Sequence, residues 1–292
     1  MSATHLTTVR LALLAIFAVC VYTPLTAQEQ PLSIFIRAGE KTHGPGEHDY
    51  PRFLEDWKKL LTDRGAVVDG ALRFPTEAEL SKADVLIIYK GDGADITPDE
   101  RVRLDGFRER GGGLVVLHDG MCGDDATWFA GVAGGAKQHG ERNWWRGVLK
   151  MHLEDSSHPV LQGVSDFEMD DEGFFLLRKA PEMQALASAP IPDQGSVPQL
   201  WTYEKTLSGG EPYRAFVSLQ GHYYSIFELE PYRQLLLRGI AWAGKRPIDL
   251  LTGALESAKL DALRQVRGSQ VSVAERGPRS ARTANPSGDA RR

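Results

Sequence analysis

The sequence predicts an α/β domain: a mostly parallel sheet with helices on both faces. Three observations predict it. Short continuous apolar runs recur through the first half of the chain, the segments between them carry apolar residues at helical spacing, and two capping boxes open helices there. A strand buried on both faces has no polar side, so it reads as an unbroken apolar run, whereas a strand with one wet face alternates.

The elements follow in order. Residues 32–36, LSIFI, suit a buried strand. Residues 51–64 place Phe53, Leu54, Trp57, Leu60 and Leu61 on one helical face, with Pro51 in the first turn and Gly65 past the end. Residues 66–72 form a second strand. Thr76 with Glu79 is a capping box for a short helix. Residues 84–89, DVLIIY, are the clearest buried strand, and Thr97 with Glu100 caps a helix running to Arg110 that has Pro98 where a proline costs nothing. Gly111, Gly112 and Gly113 end that helix and lead into the strand 114–117, LVVL. Alternating strands and helices of this kind mean a parallel sheet covered on both sides. The second half is less regular. Residues 147–153, 199–204 and 213–219 read as strands, and 231–244 as a helix whose face includes Leu235, Leu236, Ile240, Trp242 and Ala243.

Composition narrows the function. A chain of 292 residues with 42% hydrophobic and 25% charged residues can bury a sizeable core, and a formal net charge of −5 argues against nucleic acid or an anionic membrane as partner. Residues 1–27 read as an export signal, with Arg10 before the apolar run 11–21 and cleavage expected after Ala27, so a periplasmic or extracellular location is expected. Two alternatives are an uncleaved membrane anchor and lipidation at Cys20, where Val19 is bulky for such a site. Without Cys20 only Cys122 remains, so no disulfide staples the fold. The main domain is expected over 31–247, followed over 248–292 by a weak helix and a polar tail too poor in apolar residues to order itself. Neither Gly-rich stretch has the spacing of a dinucleotide or phosphate loop, so no nicotinamide or flavin is expected.

Several segments together resemble the trehalose-utilisation (ThuA-like) family: Thr42-His43-Gly44 with Glu47-His48-Asp49-Tyr50-Pro51, the run 113–118, Ser157-His158-Pro159-Val160, Asp171-Glu172, Gly221-His222, and the run 238–243. The resemblance spans about 31–246. It implies a flavodoxin-like three-layer sandwich of the class I glutamine-amidotransferase kind, and a role in catabolism of trehalose and related glycosides through 3-keto sugars. True amidotransferases carry a cysteine in the turn after the strand matching 114–117. Here that turn is His118-Asp119-Gly120, so glutamine hydrolysis is not expected, although Cys122 lies close by.

In an open parallel sheet ligands bind beyond the carboxyl ends of the strands. His43 and His48 follow the first strand and His118 follows the fourth, so both loops should open onto one crevice. With His222 they could form a zinc-like divalent metal site, and Asp119 or Glu172 could add a carboxylate ligand or a general base. The run Asp170-Asp171-Glu172 beside Phe174 and Phe175 reads either as a solvated turn or as a partly buried carboxylate suited to acid–base work. His118, Asp119 and Glu172 are the candidate catalytic residues. Trp144, Trp201 and Tyr224 are candidate sugar-stacking residues, whereas Trp57 and Trp242 read as core and His139, His152 and His158 as structural. The expected function is an exported hydrolase, lyase or isomerase acting on a glycoside or 3-keto-glycoside, with any oxidation left to a separate sugar oxidoreductase. The alternative is a catalytically silent sugar-binding or scaffolding module.

Overall fold

The computed structural model describes residues 30–154 and 157–253. The expected export signal, Cys20, the helix expected from Ala254 and the expected polar tail lie outside the described residues.

The first half follows its sequence pattern closely. Strands β1 (Ser33–Ala38), β2 (Val67–Ala71), β3 (Val85–Tyr89) and β4 (Gly113–Leu117) alternate with helices α1 (Tyr50–Thr62), α2 (Glu77–Leu80) and α3 (Pro98–Glu109). Both capping boxes close, with Thr76 and Glu79, and Thr97 and Glu100, satisfying each other's backbone N–H groups. After β4 come β5 (Cys122–Gly123), α4 (Ala126–Ala133), β6 (Gly135–Gln138), β7 (Trp144–Leu153), β8 (Phe167–Phe174), β9 (Arg178–Lys179), β10 (Gln184–Ile191), β11 (Gly195–Thr206), β12 (Pro212–Ser218) and α5 (Glu230–Ala243).

One nine-stranded sheet has the order β2-β1-β3-β4-β12-β11-β10-β7-β8, and β5, β6 and β9 form a small second sheet. The expectation of a mostly parallel sheet needs correction. The pairings β1–β2, β1–β3, β3–β4 and β4–β12 are parallel, but β12–β11, β11–β10, β10–β7 and β7–β8 are antiparallel. Short connections after β10 and β11 build hairpins, which need no crossover helix. The parallel part, in the order β2-β1-β3-β4-β12, keeps the flavodoxin-like arrangement.

Side chains alternate across this sheet. Ile34, Ile36, Val85, Ile87, Val115 and Leu117 pack against Phe53 and Trp57 of α1 and Leu235 and Ile240 of α5. Phe35, Leu86, Ile88, Leu114 and Val116 pack against Leu104 and Phe107 of α3 and Phe129 of α4. The result is three layers, with the carboxyl ends of β1, β4 and β12 at one edge. The domain also runs past residue 247, because Leu251 is fully buried in the core and Asp249 pairs with Arg238 at 2.9 Å.

Candidate metal centre

Three loops leave that edge, and each contributes a histidine. His48 lies between β1 and α1, His118 opens a 3-10 turn directly after β4, and His222 follows β12. His48 and His118 have φ of 42° and 50°, a left-handed conformation uncommon for residues with a side chain. The packing holds them there. Gly221 lies against the His118 turn so closely that a Cβ on it would fall 2.8 Å from His118 Cβ, and a Cβ on Gly120 would fall 2.6 Å from the Ile88 carbonyl oxygen. The His48 N–H donates to the His222 carbonyl at 2.9 Å, tying the first and last loops together.

The imidazoles are buried, with His118 at 0%, His222 at 1% and His48 at 4% exposure, and one ring nitrogen of each converges on the others. His118 Nδ1 lies 2.9 Å from the Leu219 carbonyl oxygen, which can only accept, so Nδ1 carries the proton and Nε2 presents a lone pair. His222 Nε2 lies 2.5 Å from an Arg146 N–H, a donor, so in a neutral ring its proton sits on Nδ1 and points at His48 Nε2, 2.9 Å away. His48 Nε2 accepts that proton, and its lone pair then faces that of His118 at 3.1 Å. Moving the His48 proton onto Nε2 satisfies His118 but sets two N–H groups against each other at His222. No arrangement of three neutral imidazoles satisfies every contact. The centre calls for a shared cation, either an extra proton or a metal ion.

The donor set fits a metal. Ligand nitrogens at about 2.0–2.1 Å around a tetrahedral ion lie about 3.3 Å apart, close to the 2.9 and 3.1 Å found here. Thr42 Oγ1 lies 3.0 Å from His48 Nδ1 and the Leu219 carbonyl holds His118 Nδ1, the outer contacts that orient ligating histidines. Two carboxylates flank the nitrogens. Glu172 Oε1 is 3.4 Å from His222 Nδ1 and its Oε2 3.9 Å from His118 Nε2, while Asp119 Oδ2 is 3.9 Å from His48 Nε2. With Nδ1 of His222 on an ion, the ring's proton sits on Nε2, so the Arg146 contact there has to open and Glu47 Oε1, 3.4 Å away, becomes the acceptor.

Burial, reinforced by the neighbouring His118 charge, pushes His48 down to about 3. Burial also lowers His222. Both are therefore neutral ligands at ordinary pH. For Asp119 burial works upward, but His118 and His48 outweigh it and hold the carboxyl below its usual range.

Sequence reasoning overlooked Asp171. Its carboxylate is fully buried and accepts from the backbone N–H groups of Gly221 (2.8 Å), His222 (3.0 Å) and Glu172 (2.7 Å), which locks the His222 loop to β8. Burial raises it to about 6, against the pull of His118 and of these donors. Its signals were the Asp170-Asp171-Glu172 run and the family segment Asp171-Glu172, neither of which marks it as a clamp. Arg146, which bridges His222, Glu172 and Glu47, had none.

Other expected site residues divide. His43 is exposed and packs at a tilt against the His48 ring, 4.0 Å between centroids, but it stands outside the converging group. Trp144 is half-exposed and sits opposite Phe174, whose ring stacks on His118 at 5.1 Å. Two assignments as sugar-stacking residues are corrected. Trp201 is fully buried with its indole N–H on the Ala133 carbonyl, and Tyr224 is buried with its hydroxyl on Asp56. Hairpin pairing turns Trp201 into the core, and the 3-10 turn Tyr224–Glu228 turns Tyr224 against α1.

The sequence pattern of the ThuA family, described as trehalose utilisation, matches residues 40–243, well over half the chain. The chain belongs to the ThuA family. ThuA-like proteins from Bacteroides uniformis and Parabacteroides merdae share the fold. The first is 20% identical with a TM-score of 0.59, covering 75% of this chain and 94% of its own. The second is 18% identical with a TM-score of 0.58, covering 73% and 90%. The N-terminal domain of mmIFT52, 12% identical with a TM-score of 0.52, covers 72% of this chain and 96% of its own. At these identities the likeness speaks for fold alone. No curated protein matches the chain at a significant level.

Proposed function

We propose that this ThuA-family protein is a metal-dependent enzyme of carbohydrate catabolism, acting outside the cytoplasm on a glycoside or 3-keto-glycoside as a hydrolase, lyase or isomerase. The observation that carries the reading is the meeting of three buried imidazole nitrogens that no neutral hydrogen-bond pattern satisfies. His48, His118 and His222 are the ligands, and export rests on the pattern of residues 1–27.

A bound zinc-like ion supplies a Lewis acid that polarises a carbonyl and acidifies water. Glu172, beside two of the ligands, is placed to take a proton as general base. Asp119, on the other flank, can accept the substrate's hydroxyl hydrogens. Trp144 offers an aromatic face to a sugar ring beside Phe174. Arg146, shared between Glu172 and Glu47, holds the base in place.

The test is elemental analysis of purified protein, followed by assays of trehalose-type disaccharides and their 3-keto derivatives before and after chelation. The expectation is about one divalent ion per chain and turnover that chelation removes and metal restores. Absence of bound metal, with binding of sugars but no turnover, would overturn the enzyme reading in favour of a sugar-binding module.

A further inference from the structure

The contact between Arg146 and His222 is incompatible with an ion at the histidine centre. Arg146 lies on β7 in register with Glu172 of β8. One Nη2 hydrogen of its guanidinium donates to His222 Nε2 at 2.5 Å and the other to Glu172 Oε1 at 3.2 Å, while Nη1 donates to Glu47 Oε1 at 3.4 Å. A bridge between Glu47 and Tyr223 brings the loop after β1 beside the His222 loop, and the guanidinium lies 5.3 Å from the centroid of the Tyr223 ring.

A guanidinium has only donors, so His222 Nε2 gives it a lone pair and the proton of the neutral ring sits on Nδ1. Nδ1 is the nitrogen that faces His48 Nε2 at 2.9 Å, and while protonated it has no lone pair for an ion. The other tautomer sets Nε2–H against the Arg146 N–H, two donors with no acceptor between them. That proton finds an acceptor in Glu47 Oε1, 3.4 Å away, once the guanidinium leaves Nε2. His222 Nδ1 and His118 Nε2 then both present lone pairs to His48 Nε2. Leaving costs little else. The contacts of Arg146 with Glu172 and Glu47 can stay, and with 38% of the side chain exposed, water can take the freed N–H. An arriving ion pushes the same way, because like charges repel.

We infer that Arg146 is a positioning residue that selects the His222 tautomer and so opposes metal loading, with Glu47 taking the His222 proton in the loaded state. The centre has two arrangements. In the closed one, Arg146 donates to Nε2 and Nδ1–H points at His48. In the loaded one, Nδ1 is a ligand and Nε2–H donates to Glu47. The proton passes from Nδ1 to Nε2 of one ring, so the ring stays neutral throughout. This rests on the proposed metal-dependent reading, since it describes how that site is filled.

The experiment uses full-length wild type, Arg146→Met and Glu47→Ala, each freed of metal by chelation and studied well below its melting temperature. NMR of labelled histidine ring nitrogens at mildly alkaline pH reads the His222 tautomer, and calorimetric titration with zinc reads affinity. Metal-free wild type and Glu47→Ala should carry the His222 proton on Nδ1, and Arg146→Met should carry it on Nε2. Zinc should move the wild-type proton to Nε2 as well. Arg146→Met should bind zinc roughly tenfold more tightly than wild type, and Glu47→Ala more weakly. Removing a positive charge tightens zinc binding by itself, so the tautomer decides. A ring that stays Nδ1–H in Arg146→Met overturns the inference, as does Nε2–H in metal-free wild type or equal zinc affinity in the two. Wild-type affinity in Glu47→Ala overturns the part assigned to Glu47. Zinc bound by neither wild type nor Arg146→Met would instead mark failure of the metal-dependent reading, and of the loading step with it.

Discussion

The two halves of the central sheet differ in what they contribute. The parallel half, β2-β1-β3-β4-β12, supplies the histidines, each in a loop at the carboxyl end of a strand. The antiparallel half, β11-β10-β7-β8, supplies what surrounds them. Glu172, Phe174, Trp144 and Arg146 share one face of the β7–β8 pair, and Asp171 on the opposite face clamps the His222 loop. The parallel scaffold brings the imidazoles together, and the added hairpins place carboxylates, an arginine and an aromatic ring around them.

The largest expected effect tests the first half of that division. His118→Ala removes one ligand from a set of three and should reduce bound metal from about one ion per chain to near zero, with activity lost, by elemental analysis and turnover assay. Retention of stoichiometric metal would break the assignment of the parallel half as the ligand set.

Acid sensitivity comes next. His48 ionises far lower in the folded protein, at about 3, than the usual histidine value of 6.5. The unfolded chain therefore takes up the proton first. Its contribution to stability is complete above about pH 6.5 and is lost as pH falls toward 3, by several kcal/mol at most. Urea midpoints measured across that window should fall with pH, and His48→Asn should flatten the slope.

Asp171→Asn probes the other half. The substitution keeps the shape but turns an amide N–H₂ toward backbone donors that need an acceptor. It should cost about 1–3 kcal/mol of stability and weaken metal binding roughly 10–100-fold by loosening His222. Stability lost with metal affinity intact would mean that the clamp serves the fold alone.

These predictions fall on residues of unequal legibility. The strands 84–89 and 114–117 could be read because both faces are buried and their apolar runs are unbroken. Strand polarity along 32–36 and 114–117 then puts His48 and His118 at one edge of the sheet. The antiparallel half resisted. β8 contains Glu168, Asp170, Asp171 and Glu172, and its run reads equally as a solvated turn or a partly buried carboxylate, because Glu168 and Asp170 are exposed while Asp171 serves the clamp and Glu172 the site. β10 is rich in alanine, a poor strand signal, although it is largely buried. Trp201 and Tyr224 show the limit from the other side: an aromatic residue carries no mark of whether it faces a sugar or a core.

Trp144→Ala is a smaller change. The side chain is half-exposed, so stability should move by no more than about 0.5 kcal/mol. If the β7–β8 face receives a sugar ring, affinity for the saccharide substrate should fall roughly tenfold, as for loss of one stacked aromatic ring, while metal content stays unchanged. Unaltered affinity would confine the hairpins' part in the site to Glu172 and the clamp.

The smallest expected effect belongs to Cys122, the cysteine nearest the turn where the amidotransferase resemblance would place a nucleophile. Its thiol is buried, donates to Asp119 Oδ1 at 3.3 Å, and is pushed well above the usual thiol range by burial and by the neighbouring carboxylate. The thiolate is the reactive form, and every part of this surrounding disfavours it. Iodoacetamide at neutral pH should therefore label Cys122 slowly in the folded protein and readily after unfolding. Cys122→Ser replaces one donor to Asp119 with another, so stability should fall by about 1 kcal/mol and turnover of the saccharide should stay within about twofold. Ammonia released from glutamine, abolished by the same substitution, would instead place the chemistry on a cysteine after β4. The division between a histidine-bearing parallel half and a carboxylate-bearing antiparallel half would then no longer describe the active centre.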